Sequence, residues 1–144
     1  MDADETIVLK KYSQVGSLKN ISQAYAQSLS KVTGAMVCVA DRDEIIAAAG
    51  KNHKNYIGKA LSKELENIMD KRKSALYSKK DDTLIPVVKD DKVDCEAQAI
   101  AVIVHDGDSA GAVILCVYDE KADKSEIAEK LAGAAAEFLA DQLG

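Results

Sequence analysis

The chain has 144 residues, 47% of them hydrophobic, which is the size of one domain and enough to bury a core. Its net charge of −5 and pI near 5.0 argue against a nucleic-acid surface, because phosphate binding needs clustered Lys and Arg and the basic residues here are scattered. No stretch approaches the roughly 20 apolar residues that span a bilayer, and the acidic first residues do not resemble a signal peptide, so a soluble cytoplasmic protein with no membrane contact is expected.

Residues 1–13 are an acidic lead followed by Thr6-Ile7-Val8-Leu9, a β-prone run with no obvious pairing partner. Residues 17–31 predict a helix capped by Ser17, with Leu18, Ile21, Tyr25 and Leu29 recurring at three-to-four spacing until Gly34 breaks the pattern. "AMVCVA" and "EIIAAAG", separated by "DRD", predict two strands joined by a tight polar turn. Their apolar content is nearly continuous rather than alternating, so both faces of this sheet should be covered.

"NYIGKALSKELENIMDKRKSALYS" reads as a loop and then one or two short helices, with Ser62 as N-cap and Leu65, Ile68, Met69 and Leu76 as the apolar stripe. "LIPVV" reads as a short strand whose Pro86 places it at an edge, and "KDDKVDC" as a polar, mobile stretch. "AQAIAVIVH" and "AVILCVYD", with "DGDSAG" between them, form a strong hairpin signal. From residue 121 a long helix follows, capped by Asp123 or Ser125 and lined on one side by Ile127, Leu131, Ala134, Ala135, Phe138 and Leu143. Its "AGAAA" run suits close approach, either to the domain's own sheet or to a second subunit. The element order predicts an α+β domain of three layers, a central antiparallel β-sheet with the terminal helices on one face and short helices on the other.

The three cysteines, Cys38, Cys95 and Cys116, are odd in number and far apart, which suits neither a disulfide framework nor a zinc knuckle. Cys38 and Cys116 sit in apolar runs as small hydrophobes, whereas Cys95, between Asp94 and Glu96, is expected to be exposed, its pKa raised by acidic neighbours. A Cys–His dyad from Cys95 or Cys116 with His105 is weighed against a solvated turn histidine, and the turn is favoured. No nucleophile elbow, phosphate loop, His-Glu-x-x-His or calcium loop is present, so neither enzyme, metal site nor cofactor is expected. What remains is a cavity between the sheet and its short helices, with walls from Cys38, Tyr56, Ile57, Ile68, Met69, Leu76, Ile100 and Val102. The competing reading is that the same residues make a filled core.

"IVLKKYS", "MVCVADRDEIIAAAG", "YIGKALSKELENIMDKRKSAL", "DGDSAGAVIL" and "AGAAAEFLADQLG" occur in an order that resembles the C-terminal GAF-like domains of the stage V sporulation protein T family. The resemblance implies a GAF-like fold and the regulatory half of a transcription factor of spore-forming bacteria. In that family an AbrB-type DNA-binding domain precedes the GAF-like domain, and DNA would be bound only through it. Residues 1–13 would then be the remnant of its last strand and linker, poorly ordered or borrowed by a neighbouring chain, and 14–144 the GAF-like regulatory domain. The resemblance also implies assembly through the first and last helices, here Leu18, Ile21 and Tyr25 with Ala134, Ala135, Phe138 and Leu143. A homo-oligomer follows, a dimer for this chain and a tetramer for the full protein. GAF domains bind small effectors, but the Asn-Lys-x-x-x-Phe-x-x-x-Asp-Glu signature of cyclic-nucleotide binders is missing, and Phe138 is the one phenylalanine. The expected function is a sensor and oligomerisation domain, with a ligand-free oligomerisation module as the alternative.

Overall fold

A computed structural model describes residues 15–119 and 122–144. The expectation for residues 7–9 lies outside that range. Five strands form one antiparallel sheet: β1 (Met36–Ala40), β2 (Ile45–Ala49), β3 (Ala75–Ser78), β4 (Ala97–His105) and β5 (Asp108–Val117), in the spatial order β2-β1-β5-β4-β3. Helices α1 (Lys19–Thr33) and α3 (Ala122–Gln142) cover one face, and α2 (Lys63–Lys71) with its flanking loops covers the other. This is the expected α+β three-layer architecture.

Burial on both faces accounts for the continuous apolar strands. In β1, Val37 and Val39 face the α1/α3 layer while Met36, Cys38 and Ala40 face α2. In β5, Val113, Leu115 and Val117 take the first face and Ala112, Ile114 and Cys116 the second. The α3 side is built from small groups: Ala128, Ala132, Ala135 and Ala136 meet Ala97, Ala99 and Ala101, which lets the helix lie close across β4. The "AGAAA" run is thus used against the domain's own sheet.

Several local predictions hold. The Ser62 hydroxyl caps α2 by accepting from Leu65 N–H at 3.0 Å. In "DRD", one carboxylate oxygen of Asp41 accepts from Asp43 N–H (2.7 Å) and Glu44 N–H (2.8 Å), closing the β1–β2 turn. Asp106 and Gly107, at φ 51° and 81°, form the two-residue turn between β4 and β5, the left-handed pair that a hairpin twist favours.

Others are corrected. Ser17 does not cap α1: a 3-10 turn, Val15–Leu18, runs straight into the helix with no side-chain cap, anchored by fully buried Val15. Asp123 and Ser125 lie inside the first turn of α3, which starts at Ala122. The larger correction concerns "LIPVV". It is not a strand; the sheet's edge is β3, formed by "ALYS", which periodicity had assigned to a helix. Helix α2 stops at Arg72 in the left-handed conformation (φ 57°), freeing the next residues to extend beside β4.

"LIPVV" instead lies over the sheet, held by the buried side chain of Gln98. Its Oε1 accepts from Ile85 N–H at 2.8 Å and its Nε2 donates to Ile85 C=O at 2.7 Å, so one amide imitates a neighbouring strand. A second glutamine works at the opposite edge: Gln23 on α1 donates to Ala48 C=O (2.9 Å) and accepts from Ala48 N–H (3.1 Å), covering the outer side of β2. The rest of that edge is closed where Ile45 pairs with Lys59 C=O and Gly58 N–H.

Replacing Gln98 by Leu keeps the volume but strands both polar groups of Ile85. The expected cost is about 2–4 kcal/mol, from one to two unsatisfied buried groups, read as a lower urea midpoint. Native-state hydrogen exchange should show protection lost at Ile85 ahead of the β4–β5 ladder; unchanged protection there would refute the strut. Gly111 sits where an added Cβ would overlap the Ala40 carbonyl oxygen, a backbone atom that cannot swing aside. Gly111→Ala should destabilise by about 3 kcal/mol, the upper end of overpacking costs, in the same urea measurement.

Candidate functional site

The residues expected to line a cavity divide. Cys38, Tyr56, Ile68, Met69, Ile100 and Val102 are all buried and pack with Leu61, Leu65, Val87, Val88 and Ile114 into one cluster beneath α2. Tyr56 also lines the cleft described next. Ile57 is 37% exposed on the turn after Tyr56. Leu76 is 38% exposed on β3 opposite Ala99, which puts it on the far face from α2.

Above that core the structure opens a surface cleft of about 520 Å³ between the 52–59 turn and the 88–94 loop. The first wall is built by a 3-10 turn, His53–Asn55, entered through left-handed Asn52 (φ 62°) and tied back by His53 N–H to Gly50 C=O at 3.2 Å. Tyr56 ends this wall with its ring buried and its hydroxyl at the floor. The second wall turns at Asp90, also left-handed (φ 64°).

Asp91 joins the two walls. One carboxylate oxygen accepts from Tyr56 Oη at 2.8 Å and the other from Val87 N–H at 2.8 Å. Burial, and then the carboxylate beside it, push the Tyr56 pKa well above the ordinary phenol value, so the hydroxyl stays a donor. Around this latch the rim carries Lys54, Lys59, Lys89 and Lys92 with Asn52 and Asn55, against Asp90 and Asp94. None of the four lysines makes an ion pair among the described residues. The cleft therefore presents four ammonium groups and two side-chain amides against the carboxylates of Asp90, Asp91 and Asp94, over Tyr56 and Val88. Sequence reading placed only Tyr56 of these at a pocket, because "VKDDKVDC" looks like a solvated turn; the one signal was Lys54 and Lys59 in the first loop and the density of Lys and Asp in the second.

The cysteines also differ from expectation. Cys95 is buried, at 2% exposure, despite its acidic neighbours. Its interaction with the Cys116 side chain lowers the Cys95 pKa, and the same interaction with burial raises that of Cys116. Cys38 is pushed up by its burial and then by Asp91. His105 is at the other end of β5 from Cys116, opposite Asp108 in the ladder, about 27 Å away along the strand at 3.4 Å per residue. Its Nε2 lies 3.3 Å from Asp106, and His53 Nδ1 contacts Gly50 C=O at 2.9 Å, so neither histidine forms a dyad with a cysteine.

The residues expected at an interface also divide. Leu18 in the 3-10 turn, Ile21 and Tyr25 on α1, Phe138 on α3 and Leu143 just past its end are half-buried along the seam between the two helices, with the Tyr25 and Phe138 rings 5.1 Å apart and tilted by 50°. Ala134 is exposed beside them. Ala135, 1% exposed, faces the sheet and is not available to a partner. Neighbouring positions on a helix differ by about 100°, and the even alanine pattern gave no sign of which one faces inward.

The family described as stage V sporulation protein T C-terminal, transcription factor, matches residues 17–144. Stage V sporulation protein T of Bacillus subtilis (strain 168) is 35% identical over 143 residues, covering 99% of this chain and 78% of that one. Among solved structures, the type II free methionine-R-sulfoxide reductase of Thermoplasma acidophilum superposes with a TM-score of 0.66 at 14% identity, over 90% of this chain and 94% of that one. The nlh2 GAF domain of A. aeolicus gives 0.64 at 10% identity, over 97% and 95%. The GAF domain/HD domain protein of Geobacter sulfurreducens gives 0.61 at 13%, over 91% and 96%. At those identities the three solved structures establish the fold, which is GAF-like. Matched over nearly its whole length by both the family and the Bacillus relative, the chain belongs to the C-terminal domain family of the stage V sporulation protein T transcription factors.

Proposed function

We propose that this domain senses a small anionic effector in the lysine-rimmed cleft and carries the self-association of a sporulation transcription regulator. The observation that carries the sensing role is the cleft itself, with four unpaired lysines over a Tyr56–Asp91–Val87 latch. An anion drawn to Lys54, Lys59, Lys89 and Lys92 pulls the two walls together, while the latch sets their resting separation. The effector acts by favouring one spacing of the walls over another, since a ligand shifts an equilibrium only through differential affinity.

A route from the cleft to the opposite layer runs through β2. The 52–59 turn is tied to Gly50, one residue past β2, and Ala48 within β2 is clamped by Gln23 of α1. Displacing the turn therefore loads α1, which carries Leu18, Ile21 and Tyr25 along the seam with α3. For assembly, this half-buried apolar strip flanked by exposed Ala134 is the surface we assign to a second copy.

The effector role is tested by a thermal-shift screen of dicarboxylates, tricarboxylates and phosphorylated metabolites. A true ligand at a hundredfold excess over its Kd adds about 2.7 kcal/mol of stability. Lys54→Glu with Lys89→Glu should abolish that gain while moving the unliganded midpoint by no more than about 0.5 kcal/mol per site. No stabilisation by any anion at millimolar concentration would leave the ligand-free assembly module as the function.

The assembly face is tested by separating two adjacent alanines. Ala134→Glu should weaken self-association in sedimentation velocity and leave the urea midpoint nearly unchanged. Ala135→Glu should lower the midpoint by several kcal/mol, because a charge would be buried without a partner. An unchanged oligomer in Ala134→Glu refutes the proposed face.

A further inference from the structure

Cys95 and Cys116 belong to segments that the sheet brings together at one end. Gln98 stands opposite Cys116 in the β4–β5 register, and the ladder continues beyond β4 with Glu96 N–H donating to Val117 C=O at 2.7 Å. Cys95, the next residue out, turns its side chain inward under the 88–94 loop and enters the same buried cluster as Cys116. There the two side chains lie close enough that each shifts the other's pKa. The third thiol, Cys38, is directed elsewhere: its Sγ lies 3.2 Å from Met36 Sδ.

The geometry points to Cys95 and Cys116 as a reversible dithiol–disulfide pair, closed within one chain by a small peroxide. Two thiols that leave neighbouring strand ends and enter one buried cluster can reach a disulfide of about 2.05 Å by local adjustment, without rearranging the sheet. Cys95 sits at the end of a loop whose residues 89, 90, 92 and 94 are exposed, so only a loop displacement separates its sulfur from solvent. The neighbouring Cys116 side chain makes the two thiols unequal: it favours the Cys95 thiolate, against burial and the charges of Asp94 and Asp91.

The chemistry balances as follows. The Cys95 sulfur attacks one peroxide oxygen, the O–O bond breaks, and a sulfenic acid and one water result. The Cys116 sulfur then displaces that hydroxyl, which leaves as a second water with the Cys116 proton, and the S–S bond forms. The two thiols lose two electrons and two protons, and the peroxide is reduced to two waters. A thiol reductant reverses the bond by exchange. Closure would staple the base of the 88–94 loop to the central strand β5 and restrain Asp91 and Asp94, which line the cleft. The pair's chemistry does not depend on what occupies that cleft.

The test uses the intact chain, treated with hydrogen peroxide, unfolded in N-ethylmaleimide without reductant, and weighed. The expected product has lost two hydrogens, takes up one maleimide, and yields a peptide joining Cys95 to Cys116; dithiothreitol restores three alkylatable thiols. Cys38→Ser should form the same linkage, take up no maleimide while oxidised and show two alkylatable thiols after dithiothreitol. Cys95→Ser and Cys116→Ser, checked for fold by circular dichroism, should lose the linkage. Three alkylated thiols after peroxide, a linkage to Cys38 or between chains, or Cys95 accumulating as sulfinic acid in the wild-type chain would each overturn the assignment. The wild-type peptide map decides even where a variant fails to fold.

Discussion

The structure depends on one constraint: a sheet buried on both faces leaves no water for any polar group that lies against it. Within the strands the ladder meets that requirement for the backbone, as the register of β5 to β1 and β4 shows, while among the described residues the Ser22 and Ser109 hydroxyls are buried without a partner. Where chain passes over the sheet or along its edge, a side chain takes the place of the missing strand. Gln98 does this for Ile85, Gln23 for Ala48, Asp91 for Val87, and Ser62, which also donates to Pro86 C=O, for the start of α2. Each is a polar residue in an apolar neighbourhood; Gln98 and Asp91 fix segments that have no regular structure of their own, Gln23 covers the edge strand β2, and Ser62 ties the start of α2 to Pro86.

The two faces meet the constraint differently, and the difference separates their roles. Against α1 and α3 the sheet presents mainly Ala and Val, so long helices lie close and bond their own backbones internally. Its side-chain hydrogen bonds sit on α1, at Gln23, Ser30 and Thr33. Against α2 the sheet presents Met, Cys, Ile and Val under a nine-residue helix and two loops, whose backbone groups are held one at a time. Loops held by a few bonds open at lower free-energy cost than helices and ladders do. The proposed sensing site therefore falls on the face whose walls are loops, and the proposed partner surface on the face built from long helices.

The fold was legible in the sequence because hydrophobic continuity carries over from strand to strand. "AMVCVA", "EIIAAAG", "AQAIAVIVH" and "AVILCVYD" all became strands, and both terminal helices lie where their periodicity placed them. The exchange of "LIPVV" for "ALYS" as the edge strand marks the limit. Both are short and apolar, and the choice between them was made by Gln98 and by the left-handed stop at Arg72, features that propensity does not weigh. The site was less legible for a related reason. Its outline is set by hydrogen bonds between loops 35 residues apart, such as Tyr56 to Asp91, and no local pattern announces them. Cys95 shows the same failure: acidic neighbours suggested exposure, whereas the ladder past Ala97 turns its side chain inward.

The chemically distinctive groups all gather at one end of the α2 face. Tyr56, Asp91, the unpaired lysines, Tyr118 and the three thiols lie near the ends of β1 and β5 remote from the Asp106–Gly107 turn. The burden on Asp91 explains why they interact. Its carboxylate latches the cleft through Tyr56 and Val87, and its charge also raises the pKa of Cys38 and Cys116 and opposes the Cys95 thiolate. An anion bound by the lysines or a bond formed between the sulfurs would alter the field or the position of the same residue. On the proposed readings, events at the cleft and at the thiols would be coupled through one carboxylate, whose removal would release Tyr56 and Val87 at once.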